Sequence, residues 1–109
     1  MVKDTVNLDA TTVRNVIINL HDTLKEYGLH DNHIALFGSF YSGNPHEDSD
    51  MDVIVISSHF EGKNLFERID MTAKAQIDIK RRYVVPIDIL LQTPQEYYNQ
   101  KYLDSKIII

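Results

Sequence analysis

Two strand-length apolar runs stand either side of a loop that carries most of the chain's chemical options. His33-Ile34-Ala35-Leu36-Phe37 precedes it, and the β-branched run Val53-Ile54-Val55-Ile56 follows. Runs of this length with these residue types read as buried strands. The connection, Gly38 to Asp52, holds two glycines and a proline. Gly38, directly after the first strand, lets the backbone turn back or approach a ligand where a side chain would interfere. Ser39 adds a hydroxyl and a backbone N–H in the same small space. At the far end Asp50 and Asp52 enter the second strand two residues apart. The period of two puts both carboxylates on one face and turns Met51 and Val53 to the other.

Adjacent carboxylates repel unless a cation lies between them or one keeps its proton. Mg²⁺ suits such a pair, since it takes one or two carboxylates and completes its octahedron with water and phosphate oxygens. The plainer alternative is a turn at Asp48-Ser49-Asp50 with Asp52 at a solvated strand end. A third acid, Asp88, stands in the later run Val84-Val85-Pro86-Ile87-Asp88-Ile89-Leu90-Leu91. Apolar neighbours make an ionised carboxylate there expensive unless it is paired or metal-bound. Pro86 places this strand at an edge or its start.

Gly-Ser, ten residues and D-x-D across strand, loop and strand resembles the pattern of the minimal nucleotidyltransferases of the DNA polymerase β superfamily. The likeness runs from about Val13 to the C-terminus. It implies that Gly38, Ser39 and Ser49 contact the nucleotide and that Asp50, Asp52 and Asp88 are catalytic and hold metal. Two Mg²⁺ ions are expected, with Mn²⁺ able to replace them, bridging the triphosphate and the attacking hydroxyl; Asp88 is the candidate to take the hydroxyl proton. Small stand-alone members of the resembled family are commonly encoded beside an all-helical HEPN-type protein and act as its antitoxin, which implies transfer of AMP from ATP to a tyrosine of such a toxin. Two alternatives remain: a binding module that silences the HEPN partner by contact alone, and a nucleotidyltransferase for small molecules such as aminoglycosides. One departure stands out. Tyr41 and Ser42 occupy the loop positions where the family often carries a small residue followed by Arg or Lys.

The implied fold is α/β (α+β). It has a small mixed sheet of three or four strands, helices against one face, and the acids on the opposite face at the strand ends. With 109 residues the whole of 1–109 is expected to form one nucleotidyltransferase domain. The absence of cysteine rules out disulfides and Cys-ligated zinc and is compatible with a cytoplasmic setting. No run is long enough for a membrane span, and a net charge of −5 disfavours a broad grip on nucleic acid.

Three helices complete the expectation. The first has Asp9 as its cap, an apolar face of Val13, Val16, Ile17, Leu20, Leu24 and Tyr27, and Gly28 as its stop. His21 reads as a helix-surface residue, and His30 with His33 does not read as a metal pair. The second helix spans about 63–82, with Phe66, Ile69, Ala73 and Ile77 inward and Leu65 and Thr72 beside them. Its closing cations Lys80-Arg81-Arg82 suit the helix dipole, while one of them, or Lys63, Arg68 or Lys74, is placed to reach a triphosphate. The third helix opens with Thr93, Pro94 and Glu96 as a capping box. Tyr97, Tyr98 and Tyr102 read as packing residues, and Ile107-Ile108-Ile109 must dock on the domain or on another chain, a second copy included.

Overall fold

A computed structural model describes residues 10–43, 50–84, 86–100 and 104–109. The expectations at Asp9, Ser49 and Tyr102 fall outside them. The chain runs α1 (Ala10–Glu26), β1 (His33–Phe37), α2 (Gly38–Ser42), β2 (Met51–Ile56), α3 (Leu65–Arg82), β3 (Ile87–Gln92), α4 (Pro94–Asn99) and β4 (Ser105–Ile107). The sheet order is β3-β2-β1-β4. β1 pairs antiparallel with β2 and β4, and β2 pairs parallel with β3, so the sheet is mixed and the fold α+β.

Alternation along the strands separates two faces. Ile34, Leu36, Met51, Val53, Val55, Ile87 and Leu91 join Val16, Ile17, Leu20 and Leu24 of α1 and Ala75 and Ile79 of α3 in the main core. Burial of side chains of this size contributes about 1.5–3 kcal/mol each. Ala35, Ile54 and Ile56 form a smaller cluster on the other face, with Phe37 and Tyr97 against it. α1 closes as the glycine stop requires: Leu29 N–H reaches Leu24 O at 2.9 Å and Gly28 N–H reaches Lys25 O at 3.0 Å, with Gly28 at φ 101°. Tyr27 lies past the helix and half exposed, correcting its placement on the inward face, and its hydroxyl donates to Asp78 at 2.7 Å. His21 is half buried, its Nδ1 2.8 Å from Oδ1 of buried Asn32.

The largest correction concerns α3. Phe66 is 80% exposed, Ile69 44% and Ile77 49%, whereas Thr72, Ala75 and Ile79 are buried. The inward stripe is thus Arg68, Met71, Thr72, Ala75 and Ile79, a row with only two large apolar side chains. Apolar periodicity by itself selected the wrong face because Arg68 does not count as apolar. Its stem and guanidinium nevertheless lie inside: Nε donates to Lys63 O at 2.9 Å, Nη1 to Leu91 O at 3.1 Å, and the guanidinium lies 5.7 Å from the centre of the Phe60 ring.

Arg68 also grips Glu96 with both terminal nitrogens, at 2.7 and 3.2 Å, and so joins the start of α3, the end of β3 and the start of α4. α4 carries the expected capping box, Thr93 with Glu96, and α3 carries one not expected from the sequence, Asn64 with Glu67. The third strand is shorter than its apolar run and starts at Ile87. The C-terminus docks on the body: β4 completes the sheet, and Ile34 N–H donates to Ile109 O at 3.0 Å. Tyr97 binds Ser105 through its hydroxyl at 2.7 Å, while Tyr98 is 71% exposed, correcting its assignment to packing.

The Arg68 bonds, then the Thr93 N–H, hold the Glu96 carboxyl below its ordinary range. A depressed acid stabilises the fold above its unfolded pKa, and that contribution is lost as pH falls through the folded value. Glu96→Gln should therefore lower unfolding stability at pH 7 by about 0.5–1 kcal/mol, the scale of an ion pair half open to water. In urea melts the gap between variant and wild type should close on acidification below about pH 4. A gap that stays constant down to pH 2 would assign the effect to packing.

Candidate active site

The acids gather because of register. Asp52 lies opposite Phe37 of β1 on one side and opposite Asp88 of β3 on the other. Neighbours in register project to the same face, so the Asp52 and Asp88 carboxylates share the sheet face away from α1 and α3. This is the end of the sheet where β1 finishes and β2 and β3 begin. The parallel pairing extends one step outward, with Met51 N–H donating to Pro86 O at 2.9 Å.

The three acids have different surroundings. Asp50, just before β2, and Asp88 are exposed, while Asp52 is partly buried. Burial, then the charge of Asp88, then that of Asp50, push the Asp52 carboxyl above its ordinary range. The expectation of an acid among apolar neighbours thus belongs to Asp52. Asp88 lies on the open side of an edge strand, because Ile87 and Leu91 turn inward while residue 88 does not. Among the described residues no three acids or histidines are close enough together to hold a metal ion unaided.

Gly38 supplies the third side of the site. It follows β1 at φ 74°, and a Cβ built there would lie 2.2 Å from Asp52 Oδ2 and 3.1 Å from its Cγ. The backbone thus lies against the Asp52 carboxylate, and any side chain at 38 would displace it. The stretch expected as open loop begins here as the short helix α2. Its N-cap residue, Phe37, provides no capping side chain, and Ser39 stands in its first turn. Phe40 packs on the main core and anchors the turn, while Tyr41 and Ser42 are exposed. α2 was missed because five residues are too few to show helical periodicity. Gly38 before an apolar anchor at 40 was the available signal.

The cations are elsewhere. α3 runs back along the sheet between parallel strands, so its start lies at the end opposite the acids. Arg68 is committed there to Glu96 and Leu91 O, with Lys63 beside it, which corrects the expectation that either reaches a triphosphate at the acids. Lys80, Arg81 and Arg82 close α3 near the correct end but on the helical side.

Gly38→Ala should cost about 1–2 kcal/mol for the left-handed backbone alone, plus the clash with Asp52. In an Asp52→Gly background the clash disappears and the cost of Gly38→Ala should fall by about 1 kcal/mol or more in a urea double-mutant cycle. Strict additivity would show that the two residues do not touch.

The mixed sheet and its packed helices have counterparts among solved structures. A candidate nucleotidyltransferase from Sulfolobus solfataricus aligns with a TM-score of 0.62 at 16% identity, covering 93% of this chain and 86% of that one. A second candidate nucleotidyltransferase aligns at 0.56 and 19%, covering 84% and 95%. A toxin–antitoxin structure with AMP-PNP aligns at 0.55 and 19%, covering 88% and 72%. These likenesses are of fold, and no curated protein matches the chain in sequence. The model of the nucleotidyltransferase domain, however, matches residues 17–109. From β1 and its Gly-Ser through β4, this chain belongs to the nucleotidyltransferase domain family.

Proposed function

We propose that the chain moves AMP from ATP to a hydroxyl, with a tyrosine of an all-helical HEPN-type toxin as acceptor, and so acts as an antitoxin. The observation that carries the reading is the juxtaposition of Asp52 with Asp88 in register and with Gly38 in contact. Family membership supports transferase chemistry. The toxin–antitoxin neighbour with AMP-PNP, and a mutant of the toxin–antitoxin MntA-HpeT at a TM-score of 0.50 and 20% identity, favour this branch.

Asp50, Asp52 and Asp88 would contribute carboxylate oxygens to a hard divalent cation, Mg²⁺ or Mn²⁺, whose remaining positions water and phosphate oxygens would fill. The fit rests on Asp52, whose ionisation is opposed by burial and by both other acids and would be favoured by a cation among them. When bound, Mg²⁺ supplies charge neutralisation for the phosphates and acidifies the acceptor hydroxyl. The chain's own residues then position and move protons. Ser39 holds the triphosphate by its hydroxyl and N–H, with Gly38 giving the close backbone approach and Ser49 a further contact. Asp88, exposed on the edge strand, takes the acceptor proton as the acceptor oxygen bonds to the α-phosphorus and the bond to pyrophosphate breaks.

One observation favours a second reading. With Tyr41 and Ser42 in α2 and Arg68 committed elsewhere, the described residues put no cation on the acidic face. Slow transfer, or neutralisation of the toxin by contact alone, follows from that. One incubation separates the readings: wild type and Asp88→Asn, each with a HEPN partner, α-labelled ATP and Mg²⁺, followed by intact mass. Transfer is expected to add one AMP to the partner with wild type and to fall at least about 100-fold with Asp88→Asn, the range of a lost general base. A tight inhibitory complex with no mass gain under wild type would establish contact inhibition.

A further inference from the structure

The outward stripe of α3 has a chemistry that the acidic face does not explain. Phe66, Ile69 and Ile77 are exposed along one side of an 18-residue helix at three- and four-residue steps that pass through the partly buried Ala73, with Leu65, 60% exposed, on the margin. Core formation does not use these residues, since α3 is held through its opposite side by Arg68, Thr72, Ala75 and Ile79. Isolated exposed apolar residues are ordinary, but a continuous stripe the length of a helix marks an interaction surface.

Charge along the stripe indicates what covers it. Glu67 and Asp70 flank its first half, and Lys74, Lys80 and Arg81 its second. Asp70 and Lys74 are exposed and form no ion pair with another described residue. Such a helix is complementary to itself when reversed: an antiparallel copy sets the acidic half of each against the basic half of the other. We propose that α3 pairs antiparallel with α3 of a second copy of this chain about a two-fold axis at Ala73.

The small Ala73 permits closest approach at the axis. Ile69 then lies opposite Ile77 of the second copy, and Phe66 lies opposite Lys80, whose stem and ammonium can cover the ring. A two-fold axis across antiparallel helices brings like flanks together. Asp70 is thereby offset from Lys74 of the second copy by about 3 Å along the axis, and Glu67 from Arg81 by the same amount. Each pair occurs twice. The acidic face lies on the other side of the sheet, so pairing leaves it open and the proposal does not depend on the transferase reading. Helices of this length make a small interface, so micromolar association is expected.

Light scattering after size exclusion, from roughly 1 to 500 µM, tests this directly. Wild type should move with concentration from 12.6 kDa towards twice that mass. Phe66→Ser with Ile77→Ser should weaken association at least about tenfold at an unchanged melting temperature, since neither residue is in the core. Asp70→Lys and Lys74→Glu should each weaken self-association, because each sets like charges together. An equimolar mixture of these two single variants should associate about as tightly as wild type, since every pair across the axis is restored. Wild type monomeric throughout, apolar variants that associate as wild type does, or a mixture no tighter than its components would each overturn the antiparallel pairing.

Discussion

Asp52 occupies a position that nothing in the described fold rewards electrostatically. Burial opposes its ionisation, and the carboxylates of Asp88 and Asp50 oppose it further. The glycine backbone at 38 lies so close that no other residue fits without shifting Asp52. A structural role would be served better by a neutral side chain, and such local conflicts are where function is expected. Because the folded-state pKa is raised, the sign is unambiguous. The penalty is full above that pKa and is relieved as the pH falls through it towards the unfolded value.

The rest of the fold holds this arrangement in place. β2 is enclosed, with Met51, Val53, Ile54 and Val55 essentially without exposure and strands on both sides. Asp52 is therefore held between two paired strands. At the other end of the sheet, Arg68 and Glu96 fasten α3 and α4 to the end of β3, fixing the strand that carries Asp88. β4 and Ile109 secure β1, which delivers Gly38. Acidic face and clasp thus lie at opposite ends of β3.

Much of this was legible in sequence. The β-branched run before Ser57 and the apolar run ending at Phe37 carry strong strand signals, and the period of two in Asp50-Met51-Asp52 orients the acids whatever the sheet order. Gly-Ser ahead of that pair pointed to the family that the domain match establishes. Tertiary outcomes were less legible. Which face of α3 is buried was decided by a guanidinium reaching Leu91 O and Glu96, contacts distant in sequence that periodicity cannot register. The difference between Asp52 and Asp88 depends on which strand is central, since the same acid is exposed at an edge and squeezed in the middle. Three residues of β4 were too few to announce a strand, although the apolar end at Ile107–109 did announce a contact.

The central claim is that Asp52 is kept under electrostatic stress in order to accept a cation. Melting temperatures of wild type and Asp52→Asn at pH 7, each with chelator and with excess Mg²⁺, test it most directly. The account requires Asp52→Asn to be the more stable protein in chelator, and only wild type to rise with Mg²⁺, as binding to the folded state alone demands. An Asp52→Asn protein that melts below wild type in chelator, with Mg²⁺ raising neither or both alike, would contradict it.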